Sequence, residues 1–372
     1  MDEKLAVYFE RGLKYNAEQL IPVIAKFLEE SGISDKIKGK RVLIKPNMLA
    51  PFEPSRGVTT HPSVIEAVAA NLKKLNCFVG IGDSPGDFIS GQNLNKLYRK
   101  TGVLNIIQKY GLQAEDLSAV AKAEVPSASR FKYYELAARI SDYDFLINLP
   151  KIKTHMFQLM TCGVKNLFGL IPGRRKAEFH LKLPNPPDFA DMLLDIALIA
   201  KPVFTIVDGI DAMEGEGPAA GTTKELGLML ASNDVFLLDA VIALITDLGI
   251  DVPTVKKGKE RNLFDIDMAR NIASEIGKFP LQKPTQKTLD QRLPSWFKDI
   301  LKGLISNKPY VEPARCIGCG ICARNCPPQA ITMQNNLPKI NYSECIRCFC
   351  CHELCPENAM QIKYGLLNRI IG

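Results

Sequence analysis

Eight cysteines near the C-terminus fall into two runs of one spacing. Cys316, Cys319, Cys322 and Cys326 read C-x2-C-x2-C-x3-C-P, and Cys345, Cys348, Cys351 and Cys355 repeat that pattern 29 positions later. Thiolates in this order suit a cubane [4Fe–4S] core: a tight loop turns three inward on one cluster, and the fourth, beyond the loop, serves the other. Cys316, Cys319, Cys322 and Cys355 are therefore expected to hold one cluster, and Cys345, Cys348, Cys351 and Cys326 the second. Pro327 and Pro356 keep the chain extended as it leaves each loop. Zinc is the alternative metal, but its sites pair two C-x2-C units across a longer loop, and the repeated run of four fits clusters better. Cys350 is surplus to the eight. Matching the halves sets it opposite Ile321, and it reads as a small buried apolar residue, with a spare ligand or redox thiol as the other reading.

The double run resembles that of bacterial two-cluster ferredoxins. The resemblance implies a small α+β module with two [4Fe–4S] clusters, from 309 to the C-terminus at 372. "QAITM" (329–333) and "NAMQI" (358–362) supply matching apolar residues to cover the clusters. So short a segment builds little core alone, so metal–thiolate bonds must do much of its folding. Its Lys/Arg (Arg315, Arg324, Lys339, Arg347, Lys363, Arg369) roughly balance its acids (Glu312, Glu344, Glu353, Glu357). A free electron shuttle usually presents an acidic face; this module reads instead as a wire serving its own chain.

Nine of the 11 cysteines lie between Cys316 and Cys355. In a chain with no basic, apolar leader at its start, such clustering argues for metal rather than disulfides and for the cytoplasm. No 18-residue apolar run is present, so no membrane span is expected. A net charge of +7 over 372 residues is a mild excess, and no nucleic-acid partner is expected.

The elements that must position any chemistry lie upstream. Apolar runs ending in polar or turn residues (RVLIKPN, CFVGIGDSPG, DFLINLP, VFTIVDG) alternate with amphipathic helices such as AEQLIPVIAKFLEE and HPSVIEAVAANLKKL. This alternation predicts an α/β domain over 1–250, a mostly parallel sheet with helices on both faces. A mostly helical connector is expected over 251–308, including an amphipathic helix at 294–306 that packs on a domain or, less favoured, lies on a membrane surface.

Ligands of open α/β sheets bind at the carboxyl ends of strands, so those polar ends mark the candidate site. Lys45 and Asn47 end one strand, as an anion's counter-charge and a donor to a carbonyl oxygen. Asp83 ends the next, as a base or a helix cap. Lys151, Lys153 and His155 alternate onto one side if their strand continues. Lys165 sits in "GVKN", read as a helix start that favours anions. Residues 151–182 add Arg174, Arg175, Lys176, Lys182 and His180. Together they suggest a pocket for a carboxylate or phosphate, with a solvated basic face as the plain alternative. His155, His180 and Asp83 are the candidate proton-transfer groups, and Lys45, Asn47, Lys151, Lys153 and Lys165 the candidate binding groups. His61 reads equally as a helix opener. Asp208 and Glu214, in the glycine-rich "VDGIDAMEGEGP", could bind a cation or move protons. Cys162, beside Lys165, would have a lowered pKa if exposed at a helix start. No dinucleotide fingerprint or P-loop is present.

"VLIKPNM", "TTHPSV", "GDSPG", "NLPKIKTH", "GVKNLFGLIPG" and "VDGIDAMEGEGP", in that order, resemble the DUF362 family across about residues 5–250. The family is often fused to paired [4Fe–4S] modules, and its general function is unsettled, so the resemblance implies a fold and an iron–sulfur partnership without a substrate. Two classes of function follow. In one, electrons from an external donor or acceptor protein enter through two [4Fe–4S] clusters and reduce an anionic small molecule at the strand ends. In the other, the chain is a non-enzymatic electron-transfer or assembly protein whose large domain docks a partner protein.

Overall fold

The computed structural model describes residues 6–85, 92–125, 131–173, 175–284 and 307–365. The helix expected at 294–306 lies outside them. The large domain contributes β1 (Val7–Glu10), β2 (Arg41–Pro46), β3 (Phe78–Ile81), β4 (Gln113–Ala114), β5 (Val120–Glu124), β6 (Tyr133–Ala137), β7 (Phe145–Leu149), β8 (Lys151–His155), β9 (Leu159–Thr161), β10 (Phe204–Glu214) and β11 (Thr222–Ser232). The main sheet runs β1-β11-β10-β7-β2-β3-β4, with β8 and β9 branching from β10. Pairs from β10 through β4 are parallel, and β1 and β11 form an antiparallel edge.

Period-two alternation puts helices on both faces of this sheet. Val42, Ile44, Ile147, Leu149, Phe204 and Ile206 pack in one core with Ile24, Phe27, Val64 and Val68 of helices Ala17–Glu30 and Pro62–Lys74. Leu43 and Leu146, one residue out of phase, pack in another with Phe189 and Leu193 of helix Pro186–Ala200. The expected α/β class is what forms. The large domain's core runs past 250. Helices Pro253–Glu260 and Ile266–Ile276 bury Val255, Ala269 and Ile276 in one cluster with Leu237 and Ile242.

One strand end differs from expectation. "VDGIDAMEGEGP" is not a loop from Gly209 onward, because β10 continues to Glu214, pairing antiparallel with β11 and parallel with β8. The register shifts between Gly209 and Asp211, a bulge that bends the strand. Asp208 and Glu214 consequently do not meet. Glu214 accepts from Gln282 N at 2.9 Å and lies 3.6 Å from Lys224, so no shared cation or proton site forms there.

The C-terminal module holds two antiparallel ribbons, β12 (Lys308–Val311) with β15 (Met360–Lys363) and β13 (Ile331–Gln334) with β14 (Leu337–Ile340). The sequence repeat is also a backbone repeat. Gly318, Gly320 and Gln329 have positive φ, and so do Arg347, Phe349 and Asn358, each 29 positions on. The first half uses glycine at two of these three positions and the second carries side chains at all three.

Candidate functional site at the domain boundary

The carboxyl ends of β2, β3, β7 and β8 converge on one hydrogen-bonded network. Lys45 Nζ lies 2.7 Å from Asp83 Oδ1 and 2.9 Å from Pro46 O. Asp83 Oδ2 accepts from Met48 N at 2.7 Å, and Oδ1 accepts from Ser84 N at 2.9 Å. Asn166 joins the strands: its Oδ1 accepts from Asn47 Nδ2 at 3.1 Å and its Nδ2 donates to Asn148 Oδ1 at 2.8 Å. Lys153 Nζ donates to Asn47 Oδ1 and to Val58 O, both at 2.7 Å. Side chains of Lys45 and Lys153 are at most 1% exposed. Burial pushes Lys45 below the usual lysine range, with Asp83 opposing. It pushes Lys153 well below that range, with Lys165 and Lys151 adding. Gly169 makes this packing possible, since a Cβ there would sit 2.1 Å from Asp83 Oδ1 and 2.5 Å from Lys45 Nζ.

A cleft opens onto this network. Asn47, Asp83, Lys153, Lys165, Lys176 and His180 line it from the large domain, over an apolar wall of Met48, Leu49 and Phe168. The remaining wall is the cysteine-rich module, through Asn325, Cys350, Glu353 and Leu354. Arg56 ties the two parts together by donating to Pro356 O at 2.9 Å. Lys165 has no hydrogen bond or ion pair among the described residues. Burial lowers its pKa, with Glu353 and Cys350 opposing. Burial likewise raises Glu353, against Lys165 and Lys153.

The three expected histidine and carboxylate groups behave differently. His180 lines the cleft, stacked on Phe189 at 4.6 Å, and its buried Nδ1 has no hydrogen-bond partner. Burial, with Lys165 adding, pushes it down to about 3, so it is neutral. His155 is fully buried, and its Nδ1 accepts from Phe157 N at 3.0 Å and Gln158 N at 3.2 Å. The neutral ring therefore carries its proton on Nε2, which lies 3.3 Å from Glu353 Oε1. Asp83 has both oxygens committed to Lys45 and backbone N–H groups.

Lys151 is not brought to the cleft. Its Nζ lies 3.0 Å from Asp208 Oδ2 and 2.7 Å from Tyr15 OH, and Tyr15 stacks on His61 at 3.6 Å. That buried pair fastens β8 to β10. His61 caps its helix through Ser63 N, the plainer of its two readings. The "GVKN" helix start is also used internally, because Gly163 N and Val164 N donate to Asp239. Cys162 is raised well above the usual thiol range by burial and the Asp239 carboxylate, so the lowered thiol pKa expected from sequence is reversed. Lys176, Asn166 and Glu353 were not singled out by sequence. Lys176 lies within the noted basic stretch, and Asn166 ends the "GVKN" motif.

In the module, cysteines of the two runs lie close to one another. Burial pushes Cys322 up to about 11, and Cys319, Cys355 and Cys316 add to it. Burial raises Cys326, with Cys348 and Cys345 adding. Cys316, Cys319, Cys322 and Cys355 wall a small apolar pocket with Met333 and Met360. Soft thiols under this apolar cover fit the donor chemistry of an iron–sulfur cluster. Cys350 is buried beside Cys348.

A family model described as "Domain of unknown function (DUF362)" matches residues 42–244. The chain belongs to the DUF362 family. A second model, "4Fe-4S dicluster domain", matches 308–356, so this DUF362 chain carries a ferredoxin-type iron–sulfur domain, as the cysteine runs implied. It is 34% identical over 299 residues to the thylakoid-associated protein sll1697 of Synechocystis sp. (strain ATCC 27184 / PCC 6803 / Kazusa), covering 79% of this chain and 89% of that protein. Among solved structures, the lactate racemase apoprotein from Thermoanaerobacterium thermosaccharolyticum is 18% identical with a TM-score of 0.38, covering 61% of this chain and 55% of that one. Among the described residues no helix is long and apolar enough to cross a membrane.

Proposed function

We propose that this chain is an iron–sulfur reductase whose cleft binds an anionic small molecule against the cluster-bearing module. One observation carries the reading: Cys350 and Glu353, on the same helical turn as Cys351, form a wall of the cleft that Lys153, Lys165 and Lys176 line from the other side. In this reading Cys316, Cys319, Cys322 and Cys355 hold one [4Fe–4S] cluster, and Cys345, Cys348, Cys351 and Cys326 the other. When bound, such clusters supply single electrons at low potential.

The chain's own residues then divide the work. Lys165, with no partner among the described residues, meets the anion. Lys153 and Lys45 hold Asn47 and Asp83 in place and contribute positive field. His180, neutral, offers its unpartnered Nδ1 as a hydrogen-bond acceptor. Lys151 serves the fold. The docking alternative expects residues 151–182 to present a basic face. The side chains of Arg175 and Lys182 in that stretch reach solvent, but Lys153, 1% exposed, lines the cleft with Lys165 and Lys176, which favours the enclosed cleft. The reading keeps the chain cytoplasmic, with an electron-carrying protein as partner.

Stopped-flow reoxidation tests this. Anaerobically reduced protein is mixed with 4-nitrobenzoate or with uncharged 4-nitrobenzamide. The wild type should prefer the carboxylate, and Lys165→Ala should abolish the preference. Equal rates in both proteins would remove the anion site from the account.

A further inference from the structure

The cleft's obvious proton donors are poorly placed for donation. His155 is walled off behind Glu353, His180 is neutral, and Asp83 is paired with Lys45 with both oxygens engaged. A reduction in this cleft still needs protons. Lys176 remains, on helix Arg175–Lys182. It lines the cleft, and its ammonium donates to the carbonyls of Ser84 and, at 3.4 Å, Pro85. Those are neutral acceptors, and among the described residues no carboxylate forms an ion pair with it. The other lysines are committed elsewhere: Lys45 is paired with Asp83, Lys151 lies outside the cleft on Asp208, and Lys153, 1% exposed, is held on Asn47 and Val58 O.

We propose that Lys176 is the proton-exchanging group of this cleft: it takes up a proton when a carboxylate binds beside Lys165, and gives that proton to the bound molecule on reduction. The inference rests on the anion-binding reading above. In the step, the π bond of a polarised X=Y group breaks and X–H and Y–H bonds form. Two electrons come singly from an external low-potential carrier protein. One proton comes from the Lys176 ammonium and one from solvent, and the neutral amine is recharged from water.

The charges that face Lys176 explain why it can exchange. Burial pushes it down to about 7. Asp83, from the loop after β3, opposes this, while Lys45 from β2 and Lys165 from the short helix add to it. His180 on its own helix and Glu353 from the module line the same cleft. An anion at Lys165 offsets the lysines' repulsion and favours the charged amine, so binding near neutral pH draws a proton in.

Calorimetry of the full chain tests this, with benzoate, malonate and inorganic phosphate as probes in two buffers of different ionisation enthalpy. At pH 7 wild type should take up about half a proton per bound probe, since a group with a pKa of about 7 starts half-protonated. Lys176→Arg keeps the charge but does not release it; it should bind at similar strength with no uptake. Lys176→Gln should also show none. Wild-type uptake retained in Lys176→Arg, or binding without uptake in wild type, overturns the assignment while leaving the anion reading standing. Absence of binding for all three probes overturns both.

Discussion

His155 Nε2 lies 3.3 Å from Glu353 Oε1, joining a fully buried histidine of the α/β domain to a carboxylate of the iron–sulfur module. Among the described residues, neither atom has a hydrogen-bond partner, so this close approach is their one polar contact. The pair marks where the two parts meet, and Glu353 continues from it into the lysine-lined cleft.

Charge at this boundary should tune anion affinity in opposite directions. Glu353→Gln removes the module's carboxylate from beside Lys165 and should tighten benzoate binding about five-fold at low salt. Lys165→Ala should weaken it about ten-fold or more, the loss of a charge-assisted hydrogen bond. Calorimetry measures both, and a Lys165→Ala protein with unchanged affinity contradicts the assignment.

Asp83 and Lys45 form a buried pair, so removing one partner leaves the other charge stranded. Asp83→Ala should destabilise the large domain by about 3–5 kcal/mol. Gly169→Ala, which drives a Cβ into that pair, should lower stability by about 1–3 kcal/mol. Thermal unfolding of both variants beside wild type measures this.

Much of this site was legible in the sequence, and the reason is locality. The eight cysteines declare themselves because three of each run lie within seven residues at one spacing. Lys45, Asn47 and Asp83 were visible because strand ends in a parallel sheet gather at one edge. What sequence could not separate was one buried lysine from another. Lys151 and Lys153 share a strand and a face, yet a tyrosine far upstream, Tyr15, joins Asp208 in claiming the first. Glu353 was counted only as part of the module's charge balance, since its meeting with His155 spans nearly two hundred positions. Lys176 carried no local mark beyond its basic neighbours.

Iron content separates the cysteines by role. Cys350→Ala should keep eight iron atoms per chain, whereas Cys351→Ala should lose one cluster. Iron and sulfide analysis after anaerobic purification measures both, and loss of half the iron from Cys350→Ala would reassign the ligands.

Acid should act on His180 through linkage. Its pKa in the fold is about 3, below the unfolded value of about 6.5. The folded state thus binds fewer protons, so its contribution is complete above about pH 6.5 and is lost as pH falls toward 3. His180→Phe, which keeps the stack on Phe189, should unfold at a lower pH than wild type. Tryptophan-independent circular dichroism across pH 7 to 4 follows this, and an unmoved acid transition would show that His180 is not what fails.

The central claim is that an anion held at Lys165 sits beside the module's clusters. Pulsed ¹⁹F electron–nuclear double resonance on the reduced protein with bound 4-fluorobenzoate measures that directly. The account predicts a resolved fluorine coupling to a reduced cluster in wild type, lost in Lys165→Ala. Saturating 4-fluorobenzoate with no fluorine coupling would place the anion elsewhere and contradict it.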